Sequence, residues 1–298
     1  MAFPYAGELA ALGTACCWTV TALAFESAGK RVGSLPVNLI RLVLGLAFLS
    51  VFGAISRGLP LPTDASPQAW LWLSASGLVG FAFGDLCLFQ ALVVIGARLS
   101  ILLMALVPPL TALLGWVVLG ERLDVLEWLG MALTIGGVAW VVLERPQTER
   151  GPRNVRLGGI LLGIGGALGQ AVGLVLSKYG MGRYDAFAAT QIRVLAGLAG
   201  FAVVFFAIGG WGKVFAALRD RGAMARTGLG AFFGPFLGVS LSLVAVQYAA
   251  TGVAATIMAI QPVLILAPAA MIQKERVSLR AILGAVVAVG GAALLFLE

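Results

Sequence analysis

The chain has 298 residues, of which 60% are hydrophobic and only 11% charged, and its mean hydropathy is +1.02. Soluble proteins carry about 25% charged residues, and no soluble core could bury so much apolar surface. The composition therefore predicts a membrane protein that crosses the bilayer several times. The net charge of +7 is modest, and its basic residues lie in short loops. That placement is typical of topology signals beside acidic lipid headgroups, so no nucleic-acid partner is expected.

Several kinds of chemistry have no suitable residues in this sequence. There is no histidine, the commonest general base and metal ligand. The three cysteines, Cys16, Cys17 and Cys87, lie in apolar runs and match neither metal-binding spacings nor a disulfide framework. No phosphate-binding loop is present, so direct use of ATP is not expected. We therefore predict no enzymatic activity, no metal site and no cofactor.

Apolar segments follow one another along almost the whole chain. A spanning helix needs about 20 apolar residues, and we find ten such segments in chain order: Gly7–Phe25, Leu35–Ile55, Ala69–Ile95, Leu99–Leu119, Val125–Leu143, Leu157–Lys178, Ala186–Ile208, Thr227–Ala250, Val253–Ile272 and Leu279–Leu297. Short connections with turn residues join them. A polar linker, residues 144–156, separates residues 1–143 from residues 157–298, each with five segments. The predicted fold is an all-α membrane protein of ten transmembrane helices.

The two halves look like copies of one unit. Thr251–Arg276 aligns with Ala97–Arg122 at a shift of 154 residues, so that Met258 meets Met104, Pro262 meets Pro108 and Glu275 meets Glu121. The earlier parts align at a shift of 152, which pairs Arg193 with Arg41. Because five is an odd number of spans, the second copy enters the membrane in the opposite sense. This predicts an inverted five-plus-five repeat, which many secondary transporters use for alternating access.

Each half also contains a proline in the middle of a helix, then a charged corner, then a helix with a Gly-Gly pair. The corners are Leu119–Arg122, with the sequence LGER, and Gln273–Arg276, with the sequence QKER. In these features, and over nearly its whole length, the chain resembles the drug/metabolite transporter superfamily, specifically its EamA-type permeases of bacteria. The resemblance implies secondary transport in the cytoplasmic (inner) membrane, usually export of amino acids, other metabolites or toxic compounds, through a central cavity. It does not identify the substrate.

Polar side chains near the bilayer midplane are candidates for substrate binding, because they are costly in hydrocarbon and tend to face protein or water. Gln261 lies roughly 13 Å into its segment, and Pro262 frees a backbone carbonyl there. Trp18 and its repeat counterpart Gln170 lie at similar depth. We expect Trp18, Gln170 and Gln261 to line one cavity. The other candidates, each also explicable by packing or by a role at a helix end, are Phe81, Gln247, Met258 and Pro262.

Asp85 is a carboxylate inside the third apolar segment. Its depth matches that of Arg41 in the second segment to within the reach of an arginine side chain, which predicts a buried ion pair. Glu26, at the end of the first segment, is a second candidate partner. Asp85 has no counterpart in the other half, where Val239 stands. The group can serve as a gate or coupling site, or it can be a static structural pair.

Small residues recur at every fourth position in three segments. They are Ser76, Gly80 and Gly84 in the third, Gly230, Gly234 and Gly238 in the eighth, and Gly165, Gly169 and Gly173 in the sixth. Such stripes let helix backbones touch. They predict close helix contacts, which either serve packing alone or form a sliding surface.

Other functions remain open at this point. A flippase of a lipid or lipid-linked sugar would share the transporter fold. An intramembrane aspartyl protease would need paired aspartates, but Asp85 and Asp185 occur in the wrong order and Asp185 stands at a helix end. A channel would want rings of acidic residues. The expected partners are a small-molecule substrate and the lipid bilayer, with the chain a monomer or homodimer.

The distribution of basic residues predicts an orientation. If the spans alternate, five of the 20 Lys and Arg residues lie on the side of the termini and fifteen on the other side. Positive loops favour the cytoplasm, so both termini should be periplasmic. The family resemblance implies the opposite, with cytoplasmic termini.

Overall fold

The structure is a computed structural model that describes residues 5–144, 153–264 and 279–294, and every regular element in these ranges is a helix. In chain order they are α1 (Ala6–Val32), α2 (Ser34–Arg57), α3 (Pro67–Gly77, Leu78–Gly84 and Asp85–Met104 in succession), α4 (Val107–Leu114 and Gly115–Leu119), α5 (Val125–Glu144), α6 (Arg153–Met181), α7 (Ala186–Ile208), a short helix Trp211–Arg219, α8 (Arg221–Ala231, Phe232–Gly238 and Val239–Tyr248), α9 (Thr251–Met258 and Gln261–Leu264) and α10 (Leu279–Leu294). The remainder of the predicted ninth segment, with the Glu275 corner, lies outside the described residues.

Six helical stretches of the described chain are long and apolar enough to cross a membrane: Ala6–Val32, Ser34–Arg57, Pro67–Ala91, Leu157–Met181, Ala186–Ile208 and Arg221–Tyr248. Val107–Leu119, Val125–Trp140 and Ile282–Leu294 are shorter apolar helices. Large apolar side chains such as Ile55, Val125 and Phe206 are exposed on the outside, as a surface that faces lipid requires. The predicted all-helical membrane fold is therefore confirmed at this level.

Several helix boundaries differ from the sequence prediction, and α6, for example, begins at Arg153, inside the predicted linker. Helix α1 continues to Val32, beyond the predicted end at Phe25, because no proline interrupts it and the backbone leaves the helical conformation at Gly33, whose φ is +89°. Helix α8 begins at Arg221, earlier than predicted, since the Asp220 side chain accepts a hydrogen bond from the Ala223 N–H. The short helix Trp211–Arg219 forms part of the predicted connection between the seventh and eighth segments, with Val214 and Ala217 buried on one face.

The connection between α3 and α4 also differs. Helical hydrogen bonding continues to Met104, past the predicted break near Gly96, and the interruption falls at Ala105–Leu106, just before Pro108. Contacts with α6 nevertheless reverse direction within this stretch. Gly159 lies against Ile95, whereas Gly163 lies against Leu103. A straight helix would have carried Leu103 about 12 Å further along α6, so the chain turns back between these two contacts.

Both halves contain a wide π-helical segment at the same place. Leu78–Gly84 in α3 and Phe232–Gly238 in α8 are separated by a shift of 154 residues, the register of the repeat. In each, the carbonyl of the second residue, Val79 or Phe233, lies beside the closing glycine. Only the second copy carries a proline inside, Pro235. π-helical turns are rare and occur often at functional sites, and the first copy ends directly before Asp85.

Contacts between the halves come in matched pairs. Helix α3 packs on α6, and their repeat counterparts α8 and α1 pack together as well. Helix α4 contacts α6, just as α9 contacts α1. The pairs α2 with α7, α4 with α9, and α5 with α10 join counterparts directly. Every one of these contacts is thus accompanied by its repeat equivalent.

The crossing of α5 and α10 shows the same relation at the scale of single atoms. A Cβ on Gly137 would lie 2.4 Å from the Ala288 nitrogen, and a Cβ on Gly291 would lie 2.5 Å from the Thr134 nitrogen. Gly137 and Gly291 are counterparts at a shift of 154, as are Thr134 and Ala288. The helices approach so closely because neither carries a side chain at this point.

The glycine stripes form the predicted contacts, but differently in the two halves. In the pair α3–α6 backbone meets backbone: a Cβ on Gly169 would lie 2.7 Å from the Gly84 Cα. Ser76 adds a hydrogen bond of 2.6 Å to the Gly173 carbonyl. In the pair α8–α1, side chains fill the groove, with Trp18 against Gly238 and Phe25 against Gly230.

Candidate functional site

A buried charge cluster lies between the halves, where α2, α3, α6 and α7 meet. Asp85 is 5% exposed and stands in the first turn after the π-helical segment of α3. Its Oδ2 forms an ion pair with Arg41 Nη2 on α2. Its Oδ1 accepts a hydrogen bond of 3.0 Å from Gln170 Nε2 on α6. The structure therefore contains the contact predicted between Asp85 and Arg41, and it adds an amide from the second half.

Arg193 is the fourth member of this cluster, which we call the charge cluster (Arg41, Asp85, Gln170 and Arg193). It is 4% exposed on α7, and its charge and that of Asp85 attract each other. The Arg193 guanidinium stands over the Phe81 ring at 5.0 Å. Gly77 allows the close approach, because a Cβ there would lie 2.2 Å from the Arg193 carbonyl oxygen.

The charge cluster holds more hydrogen-bond donors than it uses. Among the described residues, the buried Nε atoms of Arg41 and Arg193 have no hydrogen-bond partner. The Arg41 guanidinium also stands over the rings of Phe25 at 5.4 Å and Phe89 at 5.8 Å. Asn38, one turn before Arg41, is fully buried, and its side-chain oxygen and nitrogen have no hydrogen-bond partner either. Orphaned buried polar atoms are rare in native proteins and costly.

The predicted cavity residues are divided between two places. Gln170 belongs to the charge cluster, whereas Gln261 Nε2 donates a hydrogen bond of 3.0 Å to the Trp18 carbonyl oxygen. The Trp18 ring packs against Gly238 of α8. Helix α9 is interrupted between Met258 and Gln261, so the chain is not regular helix directly before this contact. Gln261 thus contacts the backbone of Trp18, while Gln170 contacts Asp85 of the first half. That the three residues line one cavity stays a prediction.

The other candidates have varied surroundings. Phe81 is buried beneath Arg193, and Met258 is 3% exposed within the core that α9 shares with α8. Gln247, at the end of α8, donates to the carbonyl oxygens of Gly182 at 3.0 Å and Tyr184 at 3.3 Å. The side chains of Glu26 and Pro262 lie outside the described part of the structure.

A second polar group, which we call the corner latch, joins Glu121, Lys178 and Thr251. Glu121 Oε2 accepts hydrogen bonds from the Thr251 N–H at 2.9 Å and the Thr251 hydroxyl at 2.6 Å. It thereby caps the start of α9. Glu121 Oε1 accepts from Lys178 Nζ at 2.6 Å, and Lys178 also donates to the Ala249 carbonyl at 2.7 Å. The LGER corner of the first half is thus bound to two helices of the second.

A third polar group lies at the same end of the molecule as the corner latch. Asp64 pairs with Arg57 and accepts a hydrogen bond of 2.8 Å from the Tyr184 hydroxyl. The bond from Tyr184 is the main cause that lowers the pKa of Asp64, and the Arg57 charge adds to it. Partial burial and the bond to Asp64 raise the pKa of Tyr184 to about 12. At this end, loops of both halves therefore contact each other.

Sequence reasoning did not identify Arg193 and Lys178 as functional candidates. The signal for Arg193 was available, since it is the repeat counterpart of Arg41. Nothing in the sequence pointed to the pairing of Lys178 with Glu121.

An apolar hollow on the outer face of α3, lined by residues such as Trp70, Leu71 and Leu78, contains none of the predicted site residues.

Repeated halves in matched contact, with a charged and polar site buried between them, define a polytopic helical membrane protein built as a duplicated unit. Its family follows from comparison with known proteins. The model of the EamA-like transporter family matches residues 5–143 and again residues 157–297, so the chain belongs to this family.

Two further comparisons found proteins to which this chain is similar. The chain is 25% identical over 166 residues to an uncharacterized membrane protein of Saccharomyces cerevisiae, a match that covers 50% of this chain and 39% of the yeast protein. It is also similar to a crystal structure with a TM-score of 0.76, at 19% identity, over 98% of this chain and 96% of that one. At this identity the likeness shows the fold alone.

Proposed function

We propose that this EamA-family protein is a secondary transporter that exports small metabolites, such as amino acids or other small amphipathic compounds, across the cytoplasmic membrane. The observation that carries this proposal is the charge cluster, because Arg41 and Asp85 come from the first half while Gln170 and Arg193 come from the second. A site built by both halves changes whenever they move against each other. Buried ionisable residues inside a membrane are costly, and they commonly mark transport pathways.

We further propose that ten helices form an inverted five-plus-five repeat, with residues 1–143 and 157–298 as the two units. The matched helix contacts and the shared π-helical register support this arrangement. If the ten helices cross the membrane in alternating directions, the helix ends in the corner latch and those around Asp64 lie on the same side of the membrane. We propose that this side is closed in the present conformation, so the opposite side is the candidate for access.

A metabolite screen tests the proposed function. The purified protein is reconstituted in liposomes loaded with a metabolite mixture, and the efflux of each compound is measured with and without a pH gradient. We expect selective, saturable efflux of at least one small compound compared with liposomes that lack the protein. No efflux of any small metabolite, or transbilayer movement of labelled lipid instead, would contradict the proposal and favour a flippase.

A further inference from the structure

The charge cluster carries an excess of positive charge. Among its described side chains, two guanidinium groups face one carboxylate, since Gln170 is neutral. Arg41 pairs directly with Asp85, whereas Arg193 acts on the same carboxylate over a longer distance. A buried guanidinium without its own anion is expensive. For the stability of the protein alone, an uncharged residue in place of Arg193 would be better.

The surroundings of Arg193 hold its guanidinium in place without satisfying it. Its Cζ lies 5.0 Å from the centre of the Phe81 ring, and a Cβ on Gly80 would lie 3.3 Å from its Nη2. A cation–π contact stabilises the charge but accepts no conventional hydrogen bond. A guanidinium carries five N–H donors in a fixed fork, and the buried Nε of Arg193 has no hydrogen-bond partner in the part of the chain that the structure describes. Such a group is prepared to bind an acceptor that is not part of the protein.

We propose that Arg193, together with Arg41, binds the carboxylate of a substrate whose net charge is −1. This inference rests on the transport function proposed above and narrows its substrate class. A carboxylate accepts two parallel hydrogen bonds from one guanidinium, and a single negative charge neutralises the cluster. A dianion would leave an excess of negative charge, and a zwitterion would leave the excess of positive charge unchanged. The rings of Phe25, Phe81 and Phe89 offer apolar contacts to the body of such a compound.

Three compounds that share the phenylalanine side chain but differ in charge test this preference for a monoanion. N-acetylphenylalanine is a monoanion at neutral pH, N-acetylphenylalaninamide is neutral, and phenylalanine is a zwitterion. Binding of each is measured by calorimetry on the protein in lipid nanodiscs. We expect the monoanion to bind at least about tenfold more tightly than the other two probes, as one charge-assisted hydrogen bond provides. If N-acetylphenylalanine does not bind, or binds no better than the amide, the proposal is wrong.

Substitution of Arg193 distinguishes a ligand-binding role from a structural one. Arg193→Gln should weaken binding of N-acetylphenylalanine by about ten- to a hundredfold and leave binding of the amide unchanged. The melting temperature of the unliganded variant should equal or exceed that of the unmodified protein, because an unpaired buried charge is gone. A residue that only stabilised Asp85 would lower it. Arg193→Lys keeps the charge without the fork and should restore binding in part.

The matched control is Arg31→Gln, which removes an arginine from a half-exposed ion pair with Asp220 and should change neither binding nor melting.

Efflux of the same three compounds from proteoliposomes distinguishes failure of the anion site from failure of the proposed transport function. Arg193-dependent binding of the monoanion without efflux would contradict transport and retain the anion site. Efflux of phenylalanine or the amide with no preference for the monoanion would retain transport and overturn the anion site.

Discussion

The Asp85 carboxylate interacts with two arginines, Arg41 and Arg193. Loss of Asp85 should therefore lower the stability of the protein more than loss of Arg41. Asp85→Asn leaves both guanidiniums buried with no carboxylate among the described side chains of the charge cluster, and we expect it to lower the free energy of unfolding by about 3–5 kcal/mol. Arg41→Gln should cost less, because Arg193 and Gln170 still act on Asp85. The double variant should cost less than the sum of the single ones.

Unfolding in mixed micelles with increasing denaturing detergent measures these values. The same cycle on Arg31 and Asp220, which form a half-exposed pair, is the control and should give small, additive changes. Additive losses at Asp85 and Arg41 as well would show that their contact contributes no coupling energy.

Tyr184 predicts a pH dependence at the closed end. Its bond to Asp64 helps hold the pKa of that carboxyl below its ordinary range. A carboxyl whose pKa is lower in the folded than in the unfolded state stabilises the protein at pH values above its unfolded-state pKa. This stabilisation is lost as the pH falls through the lower, folded-state pKa. Tyr184→Phe should therefore lower the melting temperature slightly at neutral pH, and the difference should vanish in acid.

A series of melting curves from neutral to acidic pH tests this expectation. Tyr248→Phe alters an exposed tyrosine near the same end and should give a difference from the unmodified protein that does not vary with pH. If the effect of Tyr184→Phe is equally independent of pH, its bond to Asp64 contributes nothing to folding.

At the crossing of α5 and α10, one of two adjacent glycines contacts the other helix and its neighbour does not. A Cβ on Gly137 would collide with backbone atoms of α10, whereas a Cβ on Gly136 would meet nothing within 4 Å. Gly137→Ala should therefore destabilise the protein by about 1–3 kcal/mol through overpacking. Gly136→Ala should be neutral or stabilising by up to about 1 kcal/mol, since alanine favours helix.

The second half repeats the comparison, with Gly291 in contact and Gly290 open. Thermal unfolding of the four alanine variants should therefore show the same contrast twice. Equal stability of Gly136→Ala and Gly137→Ala would mean that the two helices do not cross at this point.

The corner latch should govern access at its end of the molecule. Glu121→Gln removes the charge that binds Lys178 and weakens the cap of α9. We expect that end to open more often, so that a cysteine placed at Val253, which is 3% exposed, reacts faster with a water-soluble maleimide. The measurement is made after Cys16, Cys17 and Cys87 have been replaced by serine.

Arg122→Gln changes an exposed charge in the same corner and should leave the labelling rate as it was. Faster labelling in both variants would assign the effect to the net charge of the corner, and no change in Glu121→Gln would exclude a latch.

At the scale of the whole molecule, the sequence predicted most of what depends on composition and periodicity. Apolar segment length predicted the helices, and membrane depth placed Arg41 beside Asp85. The π-helical segments, by contrast, leave no pattern, because the same glycines fit a regular helix. The position of Arg193 follows from the crossing of α3 and α7, where Gly77 and Phe81 lie against it, and this crossing is a property of tertiary packing. The sequence could therefore predict one ion pair but not the charge cluster.

The last prediction concerns the orientation of the molecule. Gly7 of α1 packs against Ala249 beside the corner latch, so the start of α1 lies at the closed end, where alternating spans would also place the C-terminus. That side carries five of the 20 basic residues, and the richer side should face the cytoplasm. A green fluorescent protein fused to the C-terminus should thus remain dark in the periplasm, whereas alkaline phosphatase fused there should be active. Insertion of the fluorescent protein into the linker 144–156 is the control and should give bright cells. Bright C-terminal fusions would reverse the orientation and show that the family expectation of cytoplasmic termini outweighs the distribution of charge.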